Sequence, residues 1–109
     1  MIELYKAMLY VEPQDEPNDW VEHFSVPALS VGTYCIPAGG VDTQTPHLQD
    51  EIYVVASGRA TLVTDDARTP VSAGSVLYVE ANAAHQFVDI THNLCVLVVF
   101  APAYSGATK

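Results

Sequence analysis

Thr45-Pro46-His47-Leu48-Gln49-Asp50-Glu51-Ile52-Tyr53-Val54-Val55-Ala56-Ser57-Gly58 is the stretch around which the rest of the chain is organised. A loop delivers a histidine, His47, and four residues on a carboxylate, Glu51. Glu51 opens the continuous apolar run Ile52 to Val55, the pattern of a strand buried on both faces, and Ser57-Gly58 reads as the turn that ends it. A second histidine, His85, follows another glycine-led strand, Ser75 to Val79 after Gly74. Side chains two apart on a strand share a face, so Glu51, Tyr53 and Val55 form one row and His85, Phe87 and Asp89 another. If both rows turn inward they build one small polar cluster ringed by Tyr53 and Phe87, with Tyr34 and Ile36 joining from the preceding strand. Few convergent polar groups in an apolar pocket is how small-molecule sites are built.

The remaining elements are strands as well. Leu29 to Ile36 alternates and is rich in β-branched and aromatic residues, and Pro37-Ala38-Gly39-Gly40 ends it. Arg59 to Thr64 runs back from the Ser57-Gly58 turn, with Asp65-Asp66 as a hairpin turn. Thr69 to Val71 and His85 to Ile90 are further strands, and Leu94 to Phe100 is the longest apolar run, a central strand. Nearer the start, Leu4 to Val11 reads as an edge strand, Pro13 to Asn18 breaks structure, and Trp20 to Phe24 is a short strand or turn covering one mouth of the domain. The tail from Ala101 to Lys109 is small and polar and is expected to fray. No helix is convincing. Short strands every 8–12 residues or so predict an all-β sandwich or barrel.

At 109 residues the chain makes one domain, its core over about residues 28–102, preceded by a strand and an acidic loop over 1–27. Half of its residues are hydrophobic, enough for a core without disulfide or metal support. The net charge of −9, from thirteen acidic and four basic residues, repels phosphate backbones and anionic membranes, so neither nucleic acid nor membrane is expected as a partner. Glu3, Glu12, Asp15, Glu16, Asp19 and Glu22 cluster that acidity near the start, as a solubilising face. Met1-Ile2-Glu3-Leu4-Tyr5-Lys6 is no signal peptide and no apolar run reaches membrane-span length, which makes a cytoplasmic protein the expectation. Cys35 and Cys95 lie in apolar strands and read as buried thiols of a reducing compartment, with a disulfide as the alternative. His23 and His92 read as surface residues.

Two spaced patterns carry a family resemblance. Gly39, five residues, Thr45-Pro46-His47, three residues, Glu51, six residues and Gly58 follow the spacing of the first cupin motif, G-x5-H-x-H-x3-4-E-x6-G. Gly74, five residues, Glu80-Ala81-Asn82, two residues, His85, three residues and Asp89 follow the second, G-x5-P-x-G-x2-H-x3-N. The chain resembles a small single-domain cupin from about Leu29 to Pro102. The resemblance implies a double-stranded β-helix, or jelly-roll barrel. It departs at Thr45, where the family places a histidine, and at Glu80, Asn82 and Asp89; Asn82 can still take a left-handed turn conformation.

Carried over residue by residue, the family's metal ligands survive as His47, Glu51 and His85. Two imidazoles and a carboxylate suit non-heme Fe(II) or Zn²⁺, and the set also accepts Mn, Ni or Cu. Gln49 is a candidate fourth ligand or water-binding residue, or else a solvated loop residue; Gln44 is a candidate for the pocket rim. Asp89 either caps a turn or orients His85 through its other N–H. The structural alternative makes His47 and His85 hydrogen-bonded residues of the barrel mouth.

The resemblance implies a metal-dependent enzyme of the dioxygenase, isomerase or lyase type acting on a small organic molecule, with Tyr53 as acid or hydrogen-bond donor and Gln49 positioning water or substrate. The competing reading is a non-catalytic cupin that senses or stores a small ligand. A homodimer is also expected, with Leu4 to Val11 pairing to a partner's sheet edge. Phosphorylated substrates would require Arg59 or Arg68 to reach the site.

Overall fold

The computed structural model describes residues 18–105, so the expected strand at Leu4 to Val11 and the dimer contact assigned to it lie outside the described residues. Six strands follow in order: β1 (Asp19–Val26), β2 (Leu29–Ile36), β3 (Asp50–Thr64), β4 (Arg68–Ser72), β5 (Val76–Val79) and β6 (His85–Ala101). All pairings are antiparallel, and no helix occurs among the described residues.

Two long strands each serve both layers of the fold. The first half of β3 pairs with β5 and with the second half of β6, which in turn pairs with β2, and β2 carries β1 at the edge. The second half of β3 pairs with β4 and with the first half of β6. The sequence reading made Ser57-Gly58 a turn back and split 85–100 into two strands; both expectations are corrected here. Gly58, at φ 97°, lies in a run of register irregularities between Val55 and Thr61, where the strand bends without ending. Asp89, at φ 52°, is the positive-φ residue of β6.

The bend explains a glycine. A β-carbon on Gly58 would meet Leu94 Cα at 2.6 Å, and its backbone conformation disfavours any side chain. Asn82, at φ 67°, takes the left-handed conformation expected of it in the loop before His85.

One apolar cluster fills the space between the layers. Tyr34 and Ile36 from β2, Tyr53 and Val55 from β3, and Leu94, Val96, Val98 and Phe100 from β6 meet Leu62, Val71, Phe87 and Ile90 of the other layer. Tyr53 and Phe87 join the two, ring edge to face at 5.0 Å. The alternation read for Glu51, Tyr53 and Val55 holds, since all three are buried.

The cysteines are corrected too. Cys35 and Cys95 stand directly opposite each other on β2 and β6, with Cα atoms 4.2 Å apart, and are joined as a disulfide. Strand register alone brings them together, because non-hydrogen-bonded antiparallel pairs sit about 4.5 Å apart. Their pairing removes the support that two free thiols lent to a reducing compartment.

Two outcomes follow. Thiol titration in denaturant without reductant should find no free thiol, and reduction should release both and lower stability by up to about 4 kcal/mol, the chain-entropy value for a loop of this length. Gly58→Ala should cost about 2 kcal/mol or more in chemical denaturation, since it combines a disfavoured conformation with a backbone clash.

Candidate metal centre

The inward rows of the first layer set out the site. Paired residues share a face across the sheet, which aligns Ser30, Phe100, Glu51 and Val79 in one row and Gly32, Val98, Tyr53 and Leu77 in the next. A cavity of about 310 Å³ opens beside these rows, lined among others by Trp20, Tyr34, Gln44, His47, Glu51 and Tyr104. Trp20 reaches it from the edge strand because Gly32 has no side chain; a β-carbon there would strike the indole and the Val21 carbonyl oxygen. Of the segment Trp20 to Phe24, expected to cover one mouth of the domain, Trp20 lines the cavity.

His47, Glu51 and His85 converge. Each offers a ligand atom, and the three atoms lie within 4.8 Å of one another; all three residues are buried. His85 Nδ1 lies 2.9 Å from the Ala83 carbonyl oxygen, to which it donates, so Nε2 faces inward. That Nε2 is 2.8 Å from Glu51 Oε1 and 3.1 Å from the Tyr53 hydroxyl. Two buried atoms of the cluster, His47 Nδ1 and Glu51 Oε2, have no hydrogen-bond partner among the described residues.

Protonation follows the surroundings. Burial lowers the pKa of His47, and the neighbouring His85 adds to the lowering against the opposing pull of Glu51 and Asp42; the ring is held neutral, with a lone pair available. Burial would also lower His85, but the hydrogen bond to Glu51 and the one to Ala83 outweigh it and raise the value. Burial, then the Glu51 charge, pushes Tyr53 well above the usual phenol range, so it remains a hydrogen-bond donor.

A residue that the sequence reading did not single out organises this end of the cavity. Asp42 is buried, and its carboxylate accepts from the Tyr34 hydroxyl at 2.8 Å, the Gln44 amide nitrogens at 3.0 Å (backbone) and 2.7 Å (side chain), and the Phe87 N–H at 2.9 Å. The only sequence signal was an acidic residue two before a glutamine, the spacing of an Asx turn.

Other candidates lie elsewhere. Gln49 is buried, but its Nε2 donates to Ser105 Oγ at 3.1 Å and the residue does not line the cavity. Gln44, assigned only to the rim, is the glutamine at the cluster. Asp89 does not orient His85; it is exposed and ion-paired with Arg68 at 3.1 Å, because the positive-φ conformation takes it out of the inward alternation. Thr45 is exposed at the cavity wall. His23 is half-buried rather than on the surface, with Nε2 3.0 Å from Thr33 Oγ1, while His92 is exposed as expected. Neither Arg59 nor Arg68 lines the cavity.

The model of the cupin domain matches residues 32–100, most of the chain and both histidine-bearing segments. The chain belongs to the cupin family. An uncharacterized protein of Streptomyces coelicolor is 51% identical to this cupin over 77 residues, 71% of this chain and 73% of that protein. An RmlC-like cupin from Desulfovibrio desulfuricans superposes with a TM-score of 0.79 at 22% identity, over 94% of this chain and 99% of that one. KdgF from Halomonas sp. gives 0.72 at 21% identity, over 83% and 85%. At these identities the structural likenesses establish the fold.

The donor set fits a divalent ion on this structure's own evidence. Two imidazoles and a carboxylate converge in a buried place, one imidazole is held neutral, and the carboxylate keeps an unused oxygen.

The network also sets an alkaline limit. Burial and then the Asp42 charge raise the Tyr34 pKa far above its ordinary value. A folded value above the unfolded one of about 10 means that this contribution is complete below that pH and is lost as pH rises through the folded value. Phenolate absorbance during alkaline titration should show Tyr34 ionising only as the protein unfolds, and Tyr34→Phe should remove one phenol from that late-titrating set.

Proposed function

We propose that this cupin is a metal-dependent enzyme acting on a small organic molecule bound in the barrel, its ion held by His47, Glu51 and His85. The observation that carries the reading is the convergence of those three buried donors beside a cavity large enough for a small ligand. An ion bound there would supply Lewis acidity toward an oxygen of the bound molecule. The protein's own contribution is positional. Trp20, Phe100 and Tyr104 offer aromatic wall, with Phe100 and Tyr104 stacked at 4.8 Å, and Tyr53 offers a hydroxyl that remains protonated. Among the described residues no lysine or arginine lines the cavity and Glu51 is its one carboxylate, which favours an uncharged molecule over a phosphorylated one. Isomerase, lyase and dioxygenase chemistry all fit these features.

Thr45 favours a second reading, a non-catalytic cupin that senses or stores a small ligand, since the family histidine is missing there. A ligand that raises the melting temperature equally before and after chelation, with no turnover, would support that reading.

Elemental analysis of the purified protein tests the first. About one divalent ion per chain is expected in the wild type, with large losses in His47→Ala and His85→Ala. Full stoichiometric metal in both variants would overturn it.

A further inference from the structure

Gln44 occupies a place that the motif spacing does not assign. Its Oε1 accepts from the Tyr53 hydroxyl at 2.9 Å and lies 3.2 Å from His85 Nε2 and 3.4 Å from His47 Nε2. The amide cannot turn round without loss, because its Nε2 donates to Asp42 Oδ2 at 2.7 Å and a carboxylate only accepts. Asp42 in turn is fixed by Tyr34, the Gln44 backbone N–H and the Phe87 N–H. Oxygen therefore faces the two imidazoles and nitrogen faces away.

The spacing is that of co-ligands. Two donors each about 2.1 Å from one ion lie roughly 3.0 Å apart at a right angle and roughly 3.4 Å apart at the tetrahedral angle. Both distances from Gln44 Oε1 to the ring nitrogens fall in that range. Gln49, the other glutamine of the segment, donates its Nε2 to Ser105 and keeps an unpartnered Oε1 among the described residues, but it lies outside the cavity lining and no contact joins it to the imidazoles.

We infer that Gln44 supplies the fourth protein ligand through Oε1, in place of the histidine that Thr45 replaces, and that Asp42 is the positioning residue that aims it. The inference rests on the proposed three-ligand centre. It makes the donor set two nitrogens and two oxygens, harder than the three-histidine family set, and so shifts preference toward Mn²⁺, Fe²⁺ and Zn²⁺ and away from copper.

Co²⁺ is a suitable probe, since its visible spectrum reports ligand number and type without any turnover. Chelator-treated full-length protein is titrated with Co²⁺, following affinity and spectrum, for the wild type, Gln44→Ala, Gln44→Leu, Gln49→Ala and His85→Ala. Melting of the metal-free forms serves as the folding control. Both Gln44 variants should bind Co²⁺ at least about tenfold more weakly, with an altered spectrum, and Gln49→Ala should match the wild type. Wild-type affinity and spectrum in the Gln44 variants, with binding lost in His85→Ala, would overturn this inference and leave the three-ligand centre standing. Binding unaffected by His85→Ala would remove the centre itself, and this inference with it. If neither Gln44 variant folds, the wild type decides by NMR. Ligation through Oε1 should shift the Gln44 side-chain amide protons far more than those of Gln49 on Co²⁺ addition, and equal shifts would count against it.

Discussion

The structure depends on a carboxylate placed where carboxylates are costly. Glu51 stands at the head of an apolar strand, and its side chain is 1% exposed, as is that of its partner His85. An ionised carboxylate in such a place needs opposite charge and hydrogen bonds. His85 Nε2 lies 2.8 Å from Oε1, yet Oε2 has no partner among the described residues, and neither has His47 Nδ1. A pair retained only for packing would be expected to satisfy its outer atoms or to give way to apolar residues of similar volume. On the reading proposed here, the unused Glu51 oxygen is the opening that a cation fills, and the destabilisation of the empty site is offset when it binds.

Bending β3 and β6 is what brings those groups together. Glu51 and Tyr53 lie before the irregular stretch around Gly58, while His85 and Phe87 pair with Thr64 and Leu62 beyond it. Had the chain reversed at Ser57-Gly58, the two halves of β3 would lie side by side in one sheet. Because it bends and continues, the Tyr53 ring meets the Phe87 ring across the interior, and the Tyr53 hydroxyl meets His85. Gly58 thus acts at a distance from the site by setting how the two layers face each other.

Much of this was legible in the residues. The period of two along a strand put Glu51, Tyr53 and Val55 on one face and His85 with Phe87 on another, and the motif spacing marked His47, Glu51 and His85 as a group. Legibility failed where backbone conformation departs from the regular strand. A glycine in an apolar run signals a turn or a bulge alike, and only tertiary pairing decides; positive φ at Asp89 broke an alternation that the sequence shows unbroken. The disulfide needed inter-strand register, which no local pattern carries. Asp42 and Gln44 lie in a loop, where no period exists and each hydrogen bond depends on where β2 and β6 have been placed.

The cavity wall carries a further consequence. Its exposed aromatic, Trp20, belongs to β1, which among the described residues is paired on one side only, with β2. The indole is 36% exposed and rests on Gly32 while meeting Phe100 and Tyr104 edge-on at 5.8 and 5.9 Å. The polar donors, by contrast, sit on β3, on β6 and in the loop that Asp42 anchors, all held by the core. On the reading proposed here, the candidate ligands are thus mounted on the core-packed part of the barrel, and the surface that would set ligand size and shape is mounted on its edge. On that reading, changes in β1 would alter which molecule fits without disturbing the three donors, and the single tryptophan of the chain stands on that wall to report it.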